Sequence, residues 1–129
     1  MFTVDQIKAA HSKVKSGADF PAYIQELKSL GVSQYKVFVT DGHADYFCEN
    51  GDFVTVAAKY APIEISANLQ KETFQKELLA HQQGKTDYLT FIQMCAGTGI
   101  ENWEICIKQM TCTYFDKSGN VILVERIPE

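Results

Sequence analysis

Tight-turn signals between short alternating segments constrain this chain more than any other feature. Residues 35–40, 44–49 and 53–59 alternate with the two-residue period of a β-strand. Asp41-Gly42 lies in the first interval and Asn50-Gly51 in the second, and both dipeptides are typical of hairpin turns. Since parallel strands need much longer crossover connections, the three segments are predicted to form an antiparallel meander.

Apolar residues at helical spacing predict four helices. Their predicted limits are Thr3 to Gly17, Asp19 to Gly31, Asn68 to Gly84, and Thr86 or Asp87 to Gly97 or Gly99. Thr3 with Gln6 fits a capping box at the start of the first helix, and Asn68 is the predicted cap of the third.

The last third of the chain returns to strand patterns, at residues 103–116 and 121–127, with a turn at 117–120. The alternation changes parity within the longer strand. We therefore predict a β-bulge at residues 108–109, the polar pair between two apolar sets.

These elements predict an α+β fold. Strands joined by tight turns, and helices in consecutive pairs, indicate an antiparallel sheet of about five strands with four helices largely on one face. The 129 residues suffice for one hydrophobic core but not for two, so residues 1–129 are predicted to form a single domain.

Charge and hydrophobicity exclude several classes of partner. The net charge of −4 leaves no basic surplus to neutralise nucleic-acid phosphates. No apolar segment approaches the roughly 20 residues of a membrane span, so no membrane partner is predicted.

The N-terminus lacks a signal-peptide layout, which predicts a cytoplasmic protein.

Aromatic residues on the predicted strands are assigned to core packing. They are Tyr35, Tyr46, Phe53, Trp103, Tyr114 and Phe115. An open aromatic sheet can stack single-stranded nucleic acid, but the acidic balance of this chain lacks the basic groove that such binding needs.

The four cysteines do not indicate a metal site. Cys48, Cys95, Cys106 and Cys112 include no C-x2-C pair, so reduced thiols, no metal and no cofactor are predicted.

His43 is the first candidate for chemistry. It follows the Asp41-Gly42 turn, and Asp45 comes two residues later. A carboxylate beside an imidazole can orient it as a general base or metal ligand. The alternative is that Asp41 and Gly42 simply form the turn and that His43 is exposed there, outside any pocket.

His81 is the second candidate. It lies in the last turn of the third predicted helix, at the border of the apolar stripe, where it is placed to reach a cleft. The alternative is a favourable interaction of a cationic histidine with the helix C-terminus. His11 is interpreted as a helix-surface or boundary residue, and the spacing of the three histidines does not favour a metal site.

Several segments together resemble a known family. They are MFTVDQIKAAHSKVKSGADFPAYI, VTDGHADYF, AKYAPI, AHQQGKTDYLTF and MTCTYFDKSGNVILVERIPE. They resemble the YbcV-like family of small enterobacterial and phage-borne proteins, some of which are labelled phage envelope protein. The resemblance spans nearly the whole chain and implies a compact α+β domain, but it implies no reaction and no catalytic residues.

Three functions are consistent with these observations. The first is a small soluble, non-catalytic binding or interaction module that associates with itself as a homo-oligomer, since a half-covered sheet needs protection. The second is a small enzyme that uses His43 with Asp41 or Asp45 as an acid–base or metal site. The third is a phage-derived accessory protein that acts through a protein partner.

Overall fold

Six antiparallel strands form one sheet in the computed structural model, which describes residues 2–15 and 17–128. The strands are β1 (Gln34–Phe38), β2 (Ala44–Phe47), β3 (Phe53–Val56), β4 (Ile100–Cys106), β5 (Thr111–Asp116) and β6 (Val121–Arg126). The helices are α1 (Val4–His11), α2 (Phe20–Leu30), α3 (Lys71–Gln82) and α4 (Tyr88–Thr98), and a short 3₁₀ turn at Gly17–Asp19 precedes α2. The predicted α+β fold is confirmed.

The sheet consists of two antiparallel meanders joined side by side. Its strand order is β3-β2-β1-β4-β5-β6, and every neighbouring pair is antiparallel. The first meander is the one predicted from the tight turns. Strand β1 pairs with β4 in the middle of the sheet, so α3 and α4 lie in the connection between the two meanders.

The predicted long strand with a β-bulge at residues 108–109 is wrong. Residues 107–110 form a turn that separates β4 from β5. The turn contains no glycine, asparagine or proline, so the sequence carries no turn signal there. Its end residues, Ile107 and Met110, are apolar because they are buried, which makes the segment look like part of a strand. Met110 adopts the left-handed backbone conformation, with φ of 53°. This turn explains why the sheet has six strands rather than about five.

Helix α1 begins as predicted and ends early. The Thr3 hydroxyl accepts a hydrogen bond from the Gln6 backbone at 3.2 Å, and the Gln6 amide oxygen accepts one from the Thr3 backbone at 2.8 Å. The helix ends at His11 rather than near Gly17.

Asn68 does not cap α3, contrary to the prediction, because the helix begins later, at Lys71. The backbone N–H groups of Ser66 and Gln70 donate to the carbonyls of Ala96 and Thr98, each at 2.8 Å. These carbonyls lie in the last turn of α4, where helix carbonyls are left without the usual helical partner, although that of Ala96 also accepts a bond from the Gly99 backbone at 3.4 Å. The bonds hold the segment before α3 against α4 and delay the start of the helix.

The helices cover one face of the sheet. Strand residues facing them are buried: Tyr35, Val37, Ala44, Tyr46, Val56, Trp103, Ile105, Cys112 and Tyr114. Helix α1 packs against α2, and α3 packs against α4. On the opposite face Phe53, Val121 and Val124 are exposed, so the assignment of Phe53 to the core is wrong.

Within the described residues, no helix combines the length and the apolar character needed to cross a lipid bilayer.

Candidate functional site

A cavity of about 140 Å³ lies where the two helix pairs meet the sheet. Helices α1 and α2 contribute one wall, α3 and α4 another, and strands β1, β2, β4, β5 and β6 the floor. Its aromatic lining residues are Phe20, Tyr23, Tyr35, Tyr46, Tyr88, Phe91, Trp103 and Tyr114. A concave, mostly apolar space with a few polar groups is the usual form of a small-molecule site.

The first wall is built around a pair of tyrosines. The hydroxyls of Tyr23 and Tyr46 are hydrogen-bonded at 2.8 Å, and the Tyr46 ring stacks on Tyr35 with 4.7 Å between centroids. The His11 ring meets Tyr23 and Tyr88 edge-on, at 5.4 and 5.6 Å. These contacts join α1 and α2 to β1 and β2 through aromatic rings.

The second wall is built around His81 and Phe91. The two rings stack with 4.1 Å between centroids, and His81 Nδ1 is 2.9 Å from the Thr86 hydroxyl. The Phe91 ring also contacts Trp103, which in turn contacts Tyr114. His81, the second sequence candidate, thus lies on the cavity wall.

Two polar groups of the cavity lining have no hydrogen-bond partner among the described residues. They are the Tyr35 hydroxyl and the Trp103 indole N–H. Both residues are buried, with exposures of 3% and 6%. In the described part of the chain, the only fully enclosed side-chain atom without a partner is Asn102 Oδ1, so these two groups retain some access to open space. Buried polar groups are normally satisfied, and here the open space available is the cavity.

Burial keeps the imidazoles and phenols of the cavity uncharged. It lowers the pKa of His11 to about 4, with the positive charge of Lys59 contributing, and it also lowers the pKa of His81. Burial raises the pKa of Tyr46 to about 12 and raises that of Tyr88. At neutral pH these groups are therefore neutral donors and acceptors.

Charged side chains also line the cavity. They are Lys15, Lys59, Arg126 and Glu125. Gln82 donates to the Glu125 carboxylate at 3.0 Å, and the Tyr114 hydroxyl lies 3.5 Å from it.

His43, the first sequence candidate, does not line this cavity. Asp41 accepts a hydrogen bond from the His43 backbone at 3.0 Å and contacts its Nδ1 at 2.5 Å. The His43 backbone donor, together with the side chain, holds the pKa of Asp41 below its usual range. The His43 ring stacks on Phe38, and Asp45 instead accepts from the Thr55 hydroxyl at 2.7 Å. Of the two carboxylates predicted as partners of His43, the structure therefore brings Asp41 to it, whereas Asp45 is hydrogen-bonded to Thr55.

Metal ligation has little support in the described part of the chain. No three His, Cys, Asp or Glu side chains converge there as ligands. All four cysteines are free thiols, and burial raises the pKa of Cys112, at the cavity, to about 12.

Sequence reasoning missed most of this site. His11 is half-buried, as expected of the predicted boundary residue, but its place in the cavity lining was not predicted. The aromatic residues that share one strand face were assigned to core packing alone. The available signal was the turn at Asp41-Gly42, which sets Tyr35 opposite Tyr46 in the first hairpin and so on the same face of the sheet.

Comparison with known proteins places the chain in a family. A family model described as "Protein of unknown function (DUF1398)" matches residues 8–126. The chain belongs to this family. The DUF1398 match extends from within α1 to the last residue of β6 and so includes both helix pairs and the whole sheet. None of the curated proteins matches the chain. The YbcV-like and phage designations stay predictions.

Proposed function

We propose that this DUF1398 protein binds a small, single-ring molecule in the aromatic cavity without transforming it. One observation carries the proposal: Tyr35 and Trp103 are buried and line a cavity, and neither the Tyr35 hydroxyl nor the Trp103 N–H has a hydrogen-bond partner among the described residues. A ligand that fills the cavity must supply hydrogen bonds to these two groups, because a polar group that is enclosed without one is costly.

The size of the cavity sets the size of the ligand. An apolar protein cavity of about 150 Å³ accommodates benzene, and this cavity of about 140 Å³ is comparable. Tyr88, Phe91 and Trp103 line the cavity, and a further aromatic ring packs favourably against such rings in offset or edge-on arrangements.

The groups around the cavity histidines are those of a binding site rather than those of a catalytic site. A catalytic imidazole is usually oriented by a carboxylate. His11 instead contacts the rings of Tyr23 and Tyr88, and His81 contacts Phe91 and Thr86. The charge of Asp87 acts on His81, but neither a hydrogen bond nor an ion pair joins the two side chains. Among the described residues only His43 directly contacts a carboxylate, and it packs on Phe38 away from the cavity, so the enzyme hypothesis ranks second.

Trp103 offers a direct test, because it is the single tryptophan of the chain and lines the cavity. Phenol, benzamide and benzoate are titrated while Trp103 fluorescence and its indole NMR signal are recorded. At least one probe is expected to give a saturable change at millimolar concentration. No change with any probe up to its solubility limit would overturn the proposal.

A cavity-filling variant makes this test specific. Val14 lines the cavity and is half-buried, so Val14→Phe places a ring in the space that the ligand would occupy. Val121, on the opposite face of the sheet, is 58% exposed, so Val121→Phe is the matched control. The first variant is expected to lose binding and the control to retain it, with thermal melts showing that both are folded. Equal binding by the two variants would contradict the assignment to this cavity.

A further inference from the structure

The cationic side chains of the cavity lack acidic partners. Lys15, Lys59 and Arg126 line it, and none of them forms an ion pair with a described residue. Glu125 does not form an ion pair with them, and its carboxylate receives a hydrogen bond from Gln82 at 3.0 Å. In a protein of net charge −4, the cavity therefore has an unneutralised positive lining.

Lys59 is the cation most closely tied to the aromatic wall. It follows β3, and its Nζ lies 5.5 Å from the centroid of the Tyr88 ring. Its charge contributes to the lowered pKa of His11, which also contacts Tyr88. Lys59 is exposed, but the protein around it excludes part of its water and lowers its pKa, and the charge of Lys8 on α1 adds to that effect. An anion placed at Lys59 would relieve this repulsion between like charges.

We propose that the ligand is a single-ring aromatic carboxylate, with its ring in the aromatic cavity and its carboxylate at Lys59. This inference rests on the proposed function and adds the chemical class of the ligand. The ring satisfies the apolar lining, and the carboxylate satisfies the unpaired ammonium through a charge-assisted hydrogen bond. The Tyr35 hydroxyl and the Trp103 N–H provide further donors for oxygen atoms of the ligand.

Benzoate and benzamide separate charge from shape, because they share the ring and a planar head group and differ in charge. Their affinities are measured by Trp103 fluorescence in the wild type, in Lys59→Met and in a control, Lys76→Met. Lys76 is exposed on α3 and does not line the cavity, so its substitution removes a charge without touching the site.

Benzoate is expected to bind the wild type about tenfold more tightly than benzamide, since hydrogen bonds to charged groups are stronger than neutral ones. Lys59→Met should remove this preference and leave benzamide binding unchanged, whereas Lys76→Met should keep it. Equal affinities in the wild type, or equal loss of both probes in Lys59→Met, would overturn the carboxylate assignment but leave the proposed function standing. Failure of both probes to bind any of the three proteins would count against both proposals.

Discussion

At the scale of single residues, His11 links the cavity to the stability of the fold. Its imidazole lies between two tyrosine rings, and burial together with the charge of Lys59 lowers its pKa from 6.5 to about 4. Between these two pH values the unfolded chain binds a proton at His11 and the folded chain does not. The free energy of unfolding must therefore fall as the pH drops through this window.

Replacing His11 should weaken this pH dependence. We expect the wild type to lose about 1.5–2 kcal/mol of stability through His11 between pH 7 and pH 5, and His11→Gln to lose less over the same range. His81, whose pKa is lowered in the same direction, leaves part of the dependence in the variant. Urea unfolding of both proteins at the two pH values measures the difference, and parallel losses would show that His11 is not the cause.

At the scale of elements, the turn between β1 and β2 depends on the absence of a side chain. Gly42 has φ of +78°, and a Cβ at this position would lie 2.7 Å from Cε2 of Tyr60. Tyr60 is not free to move, because its hydroxyl donates to the Val39 carbonyl at 2.6 Å. The turn between β2 and β3 also uses a left-handed glycine, Gly51, but a Cβ there would meet no described atom within 4 Å.

Alanine substitutions at these two glycines should therefore differ in cost. Gly51→Ala should lose about 1 kcal/mol, the cost of a left-handed conformation for a residue with a Cβ. Gly42→Ala should lose about 1–3 kcal/mol more, since it also forces the Tyr60 ring to move. Denaturant unfolding of both variants measures the two losses, and similar losses would mean that Tyr60 yields easily.

Element prediction succeeded where local chemistry marks the boundary. The capping box at Thr3, Gly31 at the end of α2 and the glycine turns of the first meander were all readable from the sequence. It failed where tertiary contacts decide. The turn at residues 107–110 is apolar because its ends are buried, and α3 starts late because its preceding backbone bonds to α4.

At the scale of the whole molecule, the sequence could not place the site because its parts are far apart in the chain. His11, Tyr35, His81 and Trp103 come from four elements and meet only when both helix pairs lie on the sheet. Motif analysis detects side chains that are close to one another along the chain. It therefore selected His43 and its acidic neighbours instead of the cavity residues.

Self-association stays a prediction, and we expect it to use the sheet face without helices. Val124 is 56% exposed on that face, and Leu79 is 55% exposed on α3. Val124→Lys should weaken a dimer at least about tenfold by burying a charge at the interface, whereas Leu79→Lys should not. Sedimentation velocity over a concentration series measures both effects. A wild type that is monomeric throughout would refute the prediction.

Whether the aromatic cavity is a ligand site is tested most directly by locating a bound probe. Intermolecular nuclear Overhauser effects are recorded between benzoate and the protein. We expect contacts from the benzoate ring to Trp103 and Tyr88, which line the cavity. Contacts confined to the opposite face of the sheet, at Phe53 or Val124, would contradict the cavity as the site.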